Sequence, residues 1–243
     1  MRRSSPSHRD TEEPPLFEDH QNLRERLDEE LSVEKASCPR RFECSSSFED
    51  PSWVCECDVK RTAKFRALAS GLPREYWSAD EMVPEMNVEN FEVCRAYASN
   101  LPNAFKHGLG LLLTGANGVG KTSSASIILL EQLKRGDLGR YVVWTDFLLS
   151  LSRKPKGEEK DLMRIVYLSP LLILDEIGKD LEGMSSARTL LESIVRRRRG
   201  AYLPTIMISN LSRKELVIIS QDGVRYVIQP VSDFIGIIFI DGQ

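Results

Sequence analysis

Residues Gly115, Ala116, Asn117, Gly118, Val119, Gly120, Lys121 and Thr122, with Ser123 beyond them, spell GANGVGKTS and fit the pattern G-x-x-x-x-G-K-[ST]. The apolar run LGLLLTG (109–115) precedes the motif, and SSASIILLEQLK continues from it with helical periodicity. Gly115, Gly118 and Gly120 let a backbone turn tightly and approach a phosphate with no Cβ in the way. Amide N–H groups would converge on a β-phosphate at a helix N-terminus, where the helix dipole favours negative charge. Lys121 would then bridge β- and γ-phosphates as a point charge, and the Thr122 hydroxyl would bind Mg²⁺. The chemistry expected of this stretch is the binding of a nucleoside triphosphate with magnesium.

Two further stretches end in polar residues where such a ligand would lie. In LLILDEIG, Leu171 to Leu174 read as a buried strand delivering Asp175 and Glu176 to its C-terminal end. Asp175 can hold the magnesium shell, and Glu176 can orient and deprotonate an attacking water. The bland alternative is a pair of acids capping a helix. The strand PTIMISN ends in Ser209 and Asn210, and an amide there can hydrogen-bond both a γ-phosphate and the attacking water. Asn at a strand end is also a common turn residue.

The elements that must position these groups alternate along the chain. Apolar runs at 109–115, 140–146, 171–178, 204–210 and 234–241 are spaced by helical patterns near 121–135, 158–168, 185–199 and 212–219. That alternation indicates an α/β fold with a parallel sheet covered on both faces. Upstream, a helix is expected from Lys60 to Ala69, a break around Gly71 and Pro73, and a helix over 87–101 with Phe91, Cys94 and Ala98 on one face. Cys94 is most simply a small core residue. The chain of 243 residues is 41% hydrophobic and 28% charged, with 33 Lys+Arg against 36 Asp+Glu. These values suit one domain with an appendage and exclude wholesale disorder. No run is long and apolar enough to cross a bilayer, no secretory signal is visible, and a reducing cytoplasmic compartment is expected.

The appendage divides in two. Residues 1–37 are polar and Pro-rich, then place Leu23, Leu27 and Leu31 on one stripe of a short charged helix, suited to a partner or to the protein's own domain. Residues 38–70 hold Cys38, Cys44, Cys55 and Cys57, whose four thiolates could bind Zn²⁺ tetrahedrally. A regular C-x-x-C would need a cysteine at Arg41, so unligated thiols in a linker remain the other reading. Residues 71–243 form the main domain. The net charge of −3 excludes coating of nucleic acid by bulk charge. Local basic runs remain at Arg196 to Arg199, at Arg213 and Lys214, and at Lys60, Arg61, Lys64 and Arg66, each suited to single-stranded nucleic acid or to an interface. No base-reading motif is visible, so any such contact would be non-specific.

GANGVGKT, LLILDEIG and PTIMISNL, in this order and spacing, resemble the AAA+ ATPases of the DnaC/DnaI helicase-loader and IstB transposition-ATPase group. ARTLLESIVRRRRGAYLPTIMISNLSRKEL is especially similar, and the cysteines followed by a basic helix and SGLPREYW resemble loaders with a zinc-binding N-terminal domain. The resemblance spans most of residues 38–243. It implies a P-loop NTPase (AAA+) three-layer core with strand order 5-1-4-3-2, ending near the last strand without a C-terminal helical lid. It implies an ATPase acting on a replicative DNA helicase and single-stranded DNA, working as a homo-oligomer whose subunits complete each other's ATP sites. In that family the segment after the Asn-bearing strand carries two arginines four apart, the second acting as finger. Here the first matches Arg225, but the second position is Gln229, so slow hydrolysis is expected unless Arg225 or a partner substitutes. The alternatives are an IstB-type regulator of transposition and a slow-hydrolysing nucleotide-binding adaptor.

Overall fold

The computed structural model describes residues 56–79, 88–155, 159–178, 185–210, 226–232 and 235–240. The residues 1–55 with the leucine stripe, the helix expected at 212–219 and the basic pair Arg213 and Lys214 lie outside them. The helices are α1 (Glu56–Ala69), α2 (Val88–Ser99), α3 (Leu101–His107), α4 (Lys121–Lys134), α5 (Trp144–Arg153), α6 (Glu159–Leu168) and α7 (Ser185–Gly200), with a 3₁₀ turn over Arg74–Tyr76. The strands are β1 (Leu111–Thr114), β2 (Gly139–Val143), β3 (Leu171–Ile177), β4 (Thr205–Ser209), β5 (Tyr226–Ser232) and β6 (Ile235–Ile240). They form one sheet in the order β2-β3-β4-β1-β6-β5.

The first four strands are parallel, and most of their residues are buried, as a sheet covered on both faces demands. Leu111 and Leu113 of β1, Leu171 and Ile173 of β3, and Ile206 and Ile208 of β4 face one core with α2, α3 and α4. Their alternates Leu112, Leu172, Leu174 and Met207 face the other, with Trp144 and Phe147 of α5, Leu162 and Val166 of α6, and Leu191 and Ile194 of α7. Successive strand residues point to opposite faces, so an unbroken apolar run is what a sheet between two helical layers demands. The expected core face of α2 holds, with Phe91, Cys94 and Ala98 all buried. Burial pushes the Cys94 thiol up to about 12, which keeps it protonated and inert, as a packing residue should be.

The hydrophobic pattern mispredicts two elements. The second strand stops at Val143 rather than Asp146, and Trp144 begins α5. Trp144, Phe147, Leu148 and Leu151 recur at helical spacing, and all four pack into the second core, with the Trp144 and Phe147 ring centroids 5.8 Å apart. The last strand is β6, beside β1 as the order 5-1-4-3-2 requires, but it runs antiparallel to β1, with Leu113 opposite Ile237. The preceding segment forms the unexpected strand β5, and only residues 233 and 234 separate it from β6. A parallel return needs a crossover of about a dozen residues or more, so a two-residue connection imposes antiparallel pairing. β5 sits at the sheet's edge, where Pro230 is tolerated.

The contacts of α1 run across residues 70 and 71, the boundary expected between appendage and main domain. Ala67 and Leu72 are buried in the first core, and Arg66 Nη1 donates to Leu133 O of α4 at 2.7 Å. On the open edge of β2, Tyr141 N donates to Ser70 O at 2.8 Å and Arg140 Nη1 donates to Ala69 O at 2.6 Å. Gly71 makes this close approach possible. Its φ is +81°, and a Cβ there would lie 2.9 Å from Tyr141 O. Arg66 of the α1 basic stripe is therefore committed to the fold.

The arginine run is likewise divided. Arg198 is fully buried and donates to Thr205 Oγ1 at 2.8 Å and to the carbonyls of Val166 at 2.8 Å, Ser169 at 2.7 Å, Pro170 at 3.2 Å and Pro204 at 2.8 Å. It ties the end of α6 and the entries to β3 and β4 together. Burial lowers its pKa, and the surrounding oxygens stabilise the proton it keeps. Arg197 lies over the Tyr167 ring at 4.4 Å, while Arg196 is exposed. Of the run expected at a nucleic-acid or interface surface, Arg198 is instead committed to the fold. Arg198→Ala is expected to cost about 3 kcal/mol in denaturant unfolding, because the buried acceptors around it lose a charged donor. Arg196→Ala is expected to change stability by no more than about 0.5 kcal/mol in the same measurement.

Candidate functional site

Parallel strands end together. β1, β3 and β4 all finish at one edge of the sheet, with Thr114 level with Ser209 and Val143 of β2 level with Asp175. Residues 115–120 leave β1 there and enter α4 at Lys121. Gly120, the N-cap of α4, has φ +87°, a backbone shape that L side chains rarely adopt. Ala116, Asn117 and Gly118 are exposed, Ser123 is half-buried, and Val119 tucks against the first core.

Lys121 is buried, and its Nζ donates to Gly115 O at 2.8 Å and Ala116 O at 2.7 Å. Its ammonium is thereby held over the loop. Burial lowers its pKa, and the Asp175 charge opposes that shift. One residue on, Thr122 Oγ1 donates to Asp175 Oδ2 at 2.9 Å. The loop and the end of β3 are joined through this bond.

Asp175 is only 4% exposed. Besides Thr122, its Oδ2 accepts from the Tyr141 hydroxyl at 2.6 Å, and its Oδ1 accepts from Glu176 N at 2.7 Å. A buried carboxylate beside a hydroxyl is a hard oxygen pair that fits a magnesium shell. Among the described residues no group of three or more His, Cys, Asp or Glu side chains could hold a metal ion.

Glu176 differs from its neighbour in every respect. Its side chain is exposed and its φ is +59°. Between Leu174 and Ile177, β3 carries one residue more than β4 spans between Met207 and Ser209. A bulge of this kind re-aims side chains at a sheet's edge, and the left-handed conformation costs a non-glycine residue about 1–2 kcal/mol. Ser209 Oγ donates to Ile177 O at 2.5 Å, pinning β4 to the far side of the bulge. Asn210 follows, exposed, and register continues it beside Gly115.

The edge thus gathers the P-loop, Asp175, Glu176 and Asn210. Arg225, Cys38, Cys44 and Cys55 lie outside the described residues, and of Cys57 and Gln229 only the backbone is described, in α1 and β5. Sequence reasoning missed two phenols. Tyr141 is buried on β2, and its pKa is raised by burial and then by the Asp175 charge. Tyr76, on the 3₁₀ turn, has its pKa raised by burial, then by Glu75, then by Asp175. The available signal for Tyr141 was a hydroxyl inside an apolar strand, which must find a partner when buried.

No protein-family model matches the sequence, and no curated protein matches it. Solved structures do. A DnaC helicase loader aligns with TM-score 0.51 and 29% identity over 62% of this chain and 87% of its own. DnaI aligns with TM-score 0.51 and 25% identity over 60% of this chain and 79% of its own. The chain has a DnaC/DnaI-like AAA+ fold. Domain III of the Thermotoga maritima replication initiation protein DnaA, at 18% identity and TM-score 0.50, covers 62% of this chain and 65% of its own, and shares the fold.

In this AAA+ core the strain at Glu176 is measurable. Glu176→Gly is expected to raise unfolding stability by about 1 kcal/mol, since glycine accepts the left-handed conformation at little cost. A loss of stability would mean that the carboxylate's own contacts outweigh the strain.

Proposed function

We propose that the chain binds ATP with magnesium at this edge and, as an AAA+ ATPase, loads a replicative DNA helicase onto single-stranded DNA. The observation that carries the reading is the bond from Thr122 to Asp175, which unites a P-loop and an acidic strand end in a fold shared with a DnaC helicase loader. The fold shared with DnaI and with a DnaA domain supports a role in replication initiation.

The chain's residues divide the work. The loop amides and Lys121 bind the phosphates, the lysine trading its carbonyl acceptors for phosphate oxygens. Thr122 and Asp175 would hold the magnesium ion, which when bound would neutralise charge on the phosphates. Asn210 orients a water toward the γ-phosphorus. Glu176 takes that water's proton as the bond to phosphorus forms and ADP departs with the electrons of the broken bond. A left-handed, exposed carboxylate beside a buried one suits this split between base and metal holder.

Turnover is slow in the isolated chain, because Gln229 stands where the resemblance implies an arginine finger, and Arg225 or a neighbouring protein supplies the missing charge. Neighbouring copies assemble through the ATP site. The module with Cys38, Cys44, Cys55 and Cys57 binds zinc and contacts the helicase. Single-stranded DNA is held without base preference.

Glu176→Gln is expected to bind ATP as the unmodified protein does while losing ATP turnover by about 100-fold or more. Pull-down with a replicative helicase is expected to succeed and to need ATP. Undiminished turnover in Glu176→Gln would remove that residue from the chemistry, and failure of the pull-down would redirect the ATPase to another partner.

A further inference from the structure

Tyr141 sits mid-strand in β2 with its ring buried in the first core. A phenylalanine there would fill nearly the same volume, so packing does not account for the hydroxyl. That hydroxyl donates to Asp175 Oδ2 at 2.6 Å, the same oxygen that accepts from Thr122 Oγ1 at 2.9 Å, while Oδ1 accepts from Glu176 N at 2.7 Å. An aspartate carboxylate rotates readily about its last side-chain torsion. Donors arriving at both oxygens from β2, α4 and the β3 bulge set its plane.

Tyr141 is itself anchored on both sides. β2 pairs with β3, placing Tyr141 level with Ile173, and its backbone N–H is held by Ser70 O at 2.8 Å. The segment following Ser70 bears Tyr76, which packs against the first core.

We propose that Tyr141 is a positioning residue for the magnesium edge of the nucleotide site. Its phenol holds the Asp175 carboxylate in the orientation in which Asp175 and Thr122 together serve a cation's hydration shell. The proposal rests on the ATP–magnesium reading above and adds a residue to it. Hydrogen bonds to a charged acceptor are strong enough for the loss of one to register in binding.

The test measures equilibrium binding of ATP to the full chain in magnesium and in EDTA. It compares the unmodified protein, Tyr141→Phe, Asp175→Asn and the double variant. Magnesium is expected to tighten ATP binding by the unmodified protein, and Tyr141→Phe to reduce that gain about tenfold with binding in EDTA unchanged. The double variant is expected to bind no more weakly than Asp175→Asn, because Tyr141 acts through that carboxylate. Equal magnesium dependence in Tyr141→Phe and the unmodified protein, or additive losses in the double variant, would overturn the proposal alone. Absence of ATP binding by the folded, unmodified chain in both conditions would overturn the nucleotide reading and the proposal with it.

Discussion

The Asp175 carboxylate is nearly removed from water, and a charge in that position persists only if donors surround it. Those donors come from the start of α4, from the middle of β2 and from the backbone at the end of β3. None is near another in the chain: Thr122 is 53 residues from Asp175 and Tyr141 is 34. The sheet order makes the meeting possible, because β3 lies between β2 and β4 and β4 lies beside β1. A disturbance at the end of β2 or β3 would reach the start of α4 through this group.

Two devices elsewhere protect that arrangement. The bulge in β3 separates adjacent acids into a buried one and an exposed one, at the cost of a left-handed Glu176. Arg198, at the opposite edge, closes the turns that feed β3 and β4. A buried guanidinium is expensive alone, but here it satisfies carbonyls that helix ends and loop entries would otherwise leave bare. The strands are held where they begin by Arg198 and where they end by Ser209 and Asp175.

Much of this was legible in the sequence. The four parallel strands announced themselves as apolar runs because each faces two helical layers, and the P-loop did so because its glycines, Lys121 and Thr122 occupy spacings that chance rarely supplies. Direction and pairing were less accessible. Nothing in FIGIIFID states that it runs antiparallel to β1; the shortness of the link from β5 decides that. Trp144 reads equally well as the end of a strand or the start of a helix, and only the second core selects the helix. Arg198 and Tyr141 were hidden for a common reason. Each looks ordinary among its neighbours, in RRRR and in RYVV, and acquires its role from partners that include residues more than 25 positions away.

All of these contacts converge on the claim that a triphosphate with magnesium occupies the end of β1. Calorimetric titration of the full chain and of Lys121→Ala with ATP in magnesium tests it most directly. The unmodified protein should bind one ATP per chain, and the variant, deprived of the ammonium now held by Gly115 and Ala116, should lose about 100-fold in affinity or more. Equal binding by the two proteins, or none by the unmodified one, would contradict the account.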